Sequence, residues 1–212
     1  MRSSLTYRLG VYFVGILVLC FGVVLNTKTG LGVASINTIP YAVSQIQGVT
    51  LGTATFLLYV VFIAIQLIVR RAIDVKTLLQ LPVSLLFGQL VDLFDLRVLT
   101  FEAATPLASA LLLACAIACT ALGTTLVVSM RLVPAAPDGI VQTLGDGLGL
   151  EFGAMKFRFD VGCIVLTALY SLVAVGHPVG IGIGTIAAML FTGKLCTVWR
   201  RVLAPVLERV GP

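Results

Sequence analysis

Charged residues and histidine are scarce in this chain of 212 residues. Only 11% of the residues are charged, against roughly 25% in soluble domains, and His177 is the single histidine. The low charge excludes most soluble enzymes, disordered tails and nucleic-acid-binding modules, which need a charged surface. One histidine and cysteines confined to apolar segments leave too few ligands for a metal site. We therefore predict no metal, no cofactor and no nucleic-acid partner.

The sequence also lacks the motifs of common catalytic sites. No P-loop, no Gly-x-Ser-x-Gly and no His-Glu-x-x-His is present in the chain. We therefore predict that the chain is not an enzyme, and that an ATPase energising it would be a separate protein.

Apolar residues, in contrast, make up 59% of the sequence, and the mean hydropathy is +1.11. They form long runs, and about 20 apolar residues in a helix cross the roughly 30 Å hydrocarbon core of a bilayer. The predicted fold is an all-α polytopic membrane protein with one transmembrane domain, residues 1–212, embedded in the lipid bilayer. Six transmembrane helices are predicted, at about 9–26, 52–69, 78–95, 107–128, 159–175 and 181–199.

Two further segments, 31–47 and 132–148, are only partly apolar. The first carries Asn37 and the second carries Asp138, together with other polar residues that are unsuited to lipid. Non-helical backbone at membrane depth is tolerated where it is buried in protein or lines a water-filled cavity. We predict that both segments are short re-entrant or broken helices, although a full crossing by either is an alternative.

Basic residues predict the orientation. With six crossings and the N-terminus inside, eleven basic residues lie on the inner side and two on the outer side. This bias agrees with the excess of Lys and Arg in cytoplasmic loops. We therefore predict a multi-pass protein of the bacterial plasma (inner) membrane with both termini in the cytoplasm.

The chain contains an internal duplication. A shift of 101 residues aligns 22–63 with 123–164 without a gap, with ten identities in 42 positions. Repeat one covers about 8–95 and repeat two about 107–199. Each repeat contains three spans, an odd number, so the two repeats enter the membrane with inverted topology. Inverted repeats with broken helices are typical of transporters. They also occur in channels, and a duplication that only builds a stable bundle is a further alternative.

The two short helices supply the leading candidate site. Ser35, Asn37 and Asp138 are residue types that favour helix N-caps, and Asn37 aligns with Asp138 in the repeat. Unpaired N–H groups at a helix start favour anionic or acceptor groups. We predict that Asn37 and Asp138 cap their helices and that both helix starts contact one solute.

Polar residues within the spans are secondary candidates, because ionisable groups inside a membrane are costly. Tyr59 aligns with Asp160, which is expected to pair with Lys156 four residues earlier. Gln89 and Asp92 share one face of the third span. An interfacial position is the alternative for Asp92, and lining of a polar cavity is the prediction that we carry forward.

Several motifs also resemble a known group. They are Gly30-Leu31-Gly32 with Ser35-Ile36-Asn37, Gln80-Leu81-Pro82 with Gly88-Gln89-Leu90-Val91-Asp92, Pro137-Asp138, Phe159-Asp160, and Gly182-Ile183-Gly184-Thr185. Over about residues 8–200 this pattern resembles the YczE/YyaS/YitT family of bacterial integral membrane proteins. The resemblance implies a bacterial inner-membrane protein and supplies little chemistry.

These observations favour a transporter or permease-like protein for a small polar or anionic solute, in which one repeat rocks against the other. A substrate-capturing subunit that needs a separate ATPase is one alternative. A membrane scaffold that regulates another protein is the second, and it predicts no water-accessible cavity.

Overall fold

The computed structural model describes residues 5–210, and the side chains of residues 5–205. Within that part of the chain every regular element is helical, which confirms the predicted all-α class. The eight α-helices are α1 Leu5–Thr27, α2 Thr38–Gln47, α3 Leu51–Arg70, α4 Val75–Leu93, α5 Pro106–Ser129, α6 Ala136–Leu148, α7 Phe152–Val175 and α8 Ile183–Val210. A 3₁₀ turn over Ser35–Asn37 precedes α2, and a π-helical turn over Phe94–Val98 extends α4.

Five of the described helices are long and apolar enough to cross a membrane: α1, α3, α4 with its π-helical extension, α5 and α7. The chain is therefore a polytopic membrane protein. The sixth predicted span lies in α8, which has 28 residues but carries Lys194, Arg200 and Arg201. A membrane crossing by α8 stays a prediction.

Helix α7 begins at Phe152, seven residues before the predicted span. The prediction began too late because the first turns of this helix carry polar residues, which hydropathy assigns to a loop. Lys156 and Asp160 lie one helical turn apart there, and their side chains form an ion pair of 2.8 Å. The predicted pairing is confirmed. Each charge offsets the other, so the helix continues through both.

The two short helices end where the sequence predicts. With 10 and 13 residues, α2 and α6 are too short to cross about 30 Å of hydrocarbon. Gly48 and Gly149 follow them with φ of 71° and 66°, the left-handed conformation that glycine adopts without strain. Their N–H groups bond to the carbonyls of Ser44 and Gly145 and terminate each helix.

The predicted side-chain caps are wrong. Asn37 precedes α2 at the cap position, but its side chain makes no capping hydrogen bond. Asp138 is the third residue of α6, whose cap position is Ala135. A capping residue needs extended backbone, whereas Asn37 has helical angles of −79° and −7° as the last residue of the 3₁₀ turn. Both side chains are therefore free for other contacts.

Reciprocal contacts relate the two repeats. A Cβ atom on Gly22 of α1 would stand 2.6 Å from the backbone nitrogen of Thr120 in α5. A Cβ atom on Gly123 of α5 would stand 2.5 Å from the backbone nitrogen of Leu19 in α1. Both pairs match at a shift of 101 residues. Such exchange of partners is what a two-fold relation between the repeats requires.

The same interface sets the relative direction of the repeats. Gly15, early in α1, lies against Val127 near the end of α5, whereas Gly22, farther along α1, lies against Thr120. Helices α1 and α5 are therefore antiparallel. Because they occupy the same place in their repeats, the repeats have inverted topology.

Candidate functional site

The opposite repeat holds the first turn of each short helix. In α2, the Thr38 hydroxyl lies 2.8 Å from the Thr167 hydroxyl of α7. In α6, the equivalent residue is Gly139, where a Cβ atom would stand 2.6 Å from Oε1 of Gln66 in α3. Gln66 is the repeat equivalent of Thr167. The two helix starts are thus clamped at equivalent places, by hydroxyls in one case and by an amide in the other.

The amide clamp is a buried pair. Gln66 Nε2 donates to Gln80 Oε1 at 3.0 Å, and Gln80 Nε2 donates back to Gln66 Oε1 at 3.2 Å. Gln66 Nε2 also reaches the carbonyl of Ala136, the first residue of α6, at 3.4 Å. These bonds satisfy both buried amides and fix the start of α6 against α3 and α4.

A cavity of about 860 Å³ lies in front of these helix starts. Four exposed basic side chains line its mouth, and we call this end of the bundle the basic end: Arg70, Lys76, Arg131 and Arg200. The buried side chains of Tyr59 and Phe87 line the cavity farther from the mouth. Since exposed residues form the mouth, the cavity opens at the basic end.

Five of the seven candidate residues line this one cavity. Asn37 and Asp138, from the two short-helix starts, are among them, as are Ser35, Tyr59 and Asp160. The five come from both repeats, and two equivalent pairs are included: Asn37 with Asp138, and Tyr59 with Asp160. A contact with solute stays a prediction for all seven residues.

Gln89 and Asp92 lie outside the cavity. Gln89 is exposed on α4. Asp92 bonds across to the start of α3, where its Oδ1 accepts from the Gly52 N–H at 2.6 Å and its Oδ2 accepts from the Thr50 hydroxyl at 2.7 Å. Asp92 is therefore a tie between α4 and the N-terminus of α3. Gln89 and Asp92 share a face of α4, as predicted, but that face does not line the cavity.

Basic residues that served only to predict the orientation also belong to the site. Arg70 faces α6, where its Nε donates to the Thr143 hydroxyl at 2.8 Å. Threonines form a polar wall on α5 and α8 that sequence reasoning missed. Five threonines line the cavity from these two helices: Thr120, Thr124, Thr125, Thr192 and Thr197. They recur at spacings of four and five residues on α5 and of five on α8, and this spacing is the sequence signal for a polar helix face.

The charges around the cavity are unequal. Five basic and three acidic side chains line it. Two of the acids have basic partners, since Asp160 pairs with Lys156 at 2.8 Å and Asp74 lies 3.9 Å from Arg70. Asp138 has none among the described ion pairs. The mouth is therefore positive, and one unpaired carboxylate remains inside. Among the described residues, no three or more His, Cys, Asp or Glu side chains are grouped so that they could hold a metal ion.

The two repeats pack their last two helices differently. Between α3 and α4 the backbones touch, because a Cβ atom on Gly52 would stand 1.9 Å from the carbonyl oxygen of Gly88. Farther along the repeats a shift of 105 residues aligns 87–90 with 192–195, so Gly193 of α8 corresponds to Gly88, as Gly153 of α7 corresponds to Gly52. A Cβ atom on Gly153 or Gly193 would meet nothing within 4 Å. The cavity lies between these separated helices, where Phe152, Gly193 and other residues of both line it.

The comparisons with known proteins identify a family without an assigned activity. No curated protein and no solved structure matches the chain. The model of DUF6198, a family of unknown function, matches residues 6–201. Because this match covers nearly the whole chain, the protein belongs to the DUF6198 family.

Proposed function

We propose that this protein transports a small polar or anionic solute across the membrane by exposing one cavity alternately to the two sides. The observation that carries the proposal is the unequal packing of equivalent helices. Gly52 and Gly88 close the α3–α4 pair, whereas Gly153 and Gly193 leave the α7–α8 pair apart. Two inverted repeats in different conformations are what a one-sided opening requires.

The opposite state then follows from symmetry. Helices α7 and α8 close with Gly153 against Gly193, and α3 and α4 separate. The tie has a counterpart as well, because Thr50 aligns with Glu151 and Asp92 aligns with Thr197. The position of the hydroxyl in repeat one is thus taken by a carboxylate in repeat two, and the position of the carboxylate by a hydroxyl. In the opposite state the Thr197 hydroxyl donates to the Glu151 carboxylate, and the bond between Thr50 and Asp92 is broken.

The charges of the cavity support the solute class. Lys76, Arg131 and Arg200 at the mouth have no acidic partner among the described ion pairs, so the entrance attracts anions. Behind it, Asn37, Ser35 and Tyr59 offer neutral hydrogen-bonding groups. Such a cavity suits a solute with an anionic group and further polar atoms.

The orientation and the wider relationship belong to the same proposal. The basic end faces the cytoplasm by the bias of positive charge, α8 completes a sixth crossing, and both termini are cytoplasmic in a bacterial inner membrane. We also propose that the chain is related to the YczE/YyaS/YitT proteins, which its motifs resemble.

Thiol accessibility tests the proposal. Asn37→Cys and Asp138→Cys are introduced singly into a chain whose five native cysteines are replaced, and a membrane-impermeant thiol reagent is applied to vesicles of each orientation. Two controls calibrate the reaction: Asp146→Cys, exposed near the basic end, and Ser171→Cys, buried in α7. We expect labelling at both test positions from the basic end, and slower labelling from the opposite side.

The other outcomes favour the alternatives. Labelling from the basic end alone contradicts transport by this chain and fits a one-sided capture subunit, for which co-purification of an ATPase is the further measurement. Protection from both sides contradicts any water-filled route and leaves the scaffold function.

A further inference from the structure

The Asp138 carboxylate is the one acid lining the cavity that forms no ion pair within the described part of the chain. It lines the cavity from the first turn of α6, it makes no capping hydrogen bond, and it belongs to none of the described ion pairs. Asp138 is half-buried in a cavity that is open at one end. Enclosing a carboxylate without a partner is costly, and more so in a protein surrounded by lipid. Its position therefore calls for a positive charge supplied from outside the chain.

The neighbouring groups do not supply that charge. From α7, Lys156 and Asp160 act on Asp138 electrostatically, but the Lys156 ammonium is bonded to Asp160 at 2.8 Å. From α3 and α8, Tyr59 and Cys196 are within its electrostatic reach, and both are neutral.

The remaining charges line the mouth from four elements. Arg70 on α3 is bonded to Thr143 and lies near Asp74, the residue before α4. Lys76 on α4, Arg131 before α6 and Arg200 on α8 are exposed and make no described ion pair with Asp138. None of these basic side chains is therefore a direct partner of the Asp138 carboxylate.

The repeat supplies an internal comparison for this position. Asn37, the equivalent of Asp138, lines the same cavity but is neutral. The Asn37 carbonyl, the Ser35 hydroxyl and the Tyr59 hydroxyl are oxygen atoms, the ligands that hard cations prefer. Oxygen ligands from repeat one and the Asp138 carboxylate of repeat two therefore line one cavity, and Asp138 is the charged member of its equivalent pair.

We propose that Asp138 binds a monovalent cation, a proton or a sodium ion, that crosses the membrane together with the solute. This proposal rests on the proposed transport function. The cation neutralises Asp138 while the cavity changes sides, so that no unpaired carboxylate is enclosed. An anionic solute and this cation would then travel as a pair, and a cation gradient would drive uptake without an ATPase.

The test measures cation binding to the purified full chain in detergent, with no solute and no membrane. Radioactive sodium is the first probe, and infrared difference spectroscopy of protonated carboxyl groups near neutral pH is the second. Four proteins are compared: wild type, Asp138→Asn, Asp138→Glu and Asp146→Asn. The last removes an exposed carboxylate from the same helix outside the cavity.

Two results support the proposal. Saturable sodium binding that is lost in Asp138→Asn, and kept in Asp138→Glu and Asp146→Asn, identifies sodium as the cation. A protonated-carboxyl signal that disappears only in Asp138→Asn, without sodium binding, identifies the proton. The retained binding of the Glu variant separates loss of the site from loss of the fold.

Absence of both signals in wild type, or their survival in a folded Asp138→Asn protein, overturns the proposal. Since binding is measured without transport, that result leaves the accessibility of positions 37 and 138 as a separate test of the proposed function. Cation binding combined with protection of both positions would instead contradict transport alone.

Discussion

The first repeat is closed where the second is open. Helices α3 and α4 meet at Gly52 and Gly88, while the matching Gly153 and Gly193 have no neighbour. The small residues are present in both repeats, so the sequence permits either pair to close. The difference is therefore one of conformation, and the proposed transport cycle requires a second arrangement with the roles of the repeats exchanged.

The repeats also differ in chemistry at equivalent positions. Asn37 and Tyr59 of repeat one are neutral, whereas Asp138 and Asp160 of repeat two are acids. All four line one cavity. Equivalent positions of the two repeats thus present different charges to the same cavity, because side-chain charge can vary without changing the path of the backbone.

Cross-linking of the two ties should give the largest effect, an all-or-none exclusion. In a chain without native cysteines, Thr50→Cys with Asp92→Cys should be joined by a short thiol cross-linker, since the native side chains are 2.7 Å apart. Glu151→Cys with Thr197→Cys should be joined only in the opposite state. Mass spectrometry of a variant carrying all four cysteines should find either bridge, but never both in one molecule.

Molecules with both bridges would show that the two pairs close independently and would remove the basis for alternating access. The variant Asp146→Cys with Thr197→Cys is the control for random collision, because Asp146 is exposed on a different helix.

Moving the carboxylate between the repeats should give the next largest effect. Asp138→Asn alone should lose cation binding by more than about tenfold, which corresponds to about 1.4 kcal/mol or more. The double variant Asn37→Asp with Asp138→Asn places the acid at the equivalent position in the same cavity and should restore binding. Radioactive sodium binding or the protonated-carboxyl signal measures both changes. If the double variant still binds no cation while Asp138→Glu does, the two positions are not interchangeable.

Alanine at matched glycines should separate the closed pair from the open pair. In Gly52→Ala the added methyl group would overlap the Gly88 carbonyl, and overpacking of this kind costs about 1–3 kcal/mol. Gly153→Ala meets open space, so we expect a change within about 0.5 kcal/mol. Thermal unfolding in detergent measures both variants. Equal destabilisation would mean that α7 and α8 are packed together in the predominant state.

The smallest effect expected is the difference in stability loss when either of the two clamps on the short helices is removed. Gln66→Leu leaves the buried Gln80 amide without its partner, for which we expect a loss of about 1–3 kcal/mol. Thr167→Val removes a hydroxyl whose partner Thr38 still bonds to the Ser35 carbonyl at 2.7 Å, so the loss should be about 1 kcal/mol. Unfolding of both variants under one condition compares them. A larger loss for Thr167→Val would reverse the assigned strengths.

Prediction from the sequence was most accurate for features controlled by local rules. The ends of α2 and α6 follow from Gly48 and Gly149, and the Lys156–Asp160 ion pair follows from their spacing. The predicted caps failed because capping depends on backbone angles, and Asn37 belongs to a preceding 3₁₀ turn that its sequence does not announce.

The candidate site was predicted only in part, and the misplaced residues show why. Hydropathy marks residues that avoid lipid, but it does not distinguish a cavity wall from an internal tie. Asp92 is polar for the second reason, since it joins α4 to the start of α3. In the sequence the basic residues predicted only the orientation, yet Arg131 and Arg200 line the cavity mouth, because only the packing of α6 and α8 brings them there.

The sequence alone determined the membrane class and the duplication, because apolar length and self-similarity are properties of the chain itself. Only the tertiary structure decided that one repeat is closed and the other open, and that Asn37 and Asp138 line the same cavity. Those outcomes depend on contacts between residues that are far apart in the sequence. Each repeat has the glycines that allow its last two helices to touch. The relative position of those helices determines in which repeat the contact forms.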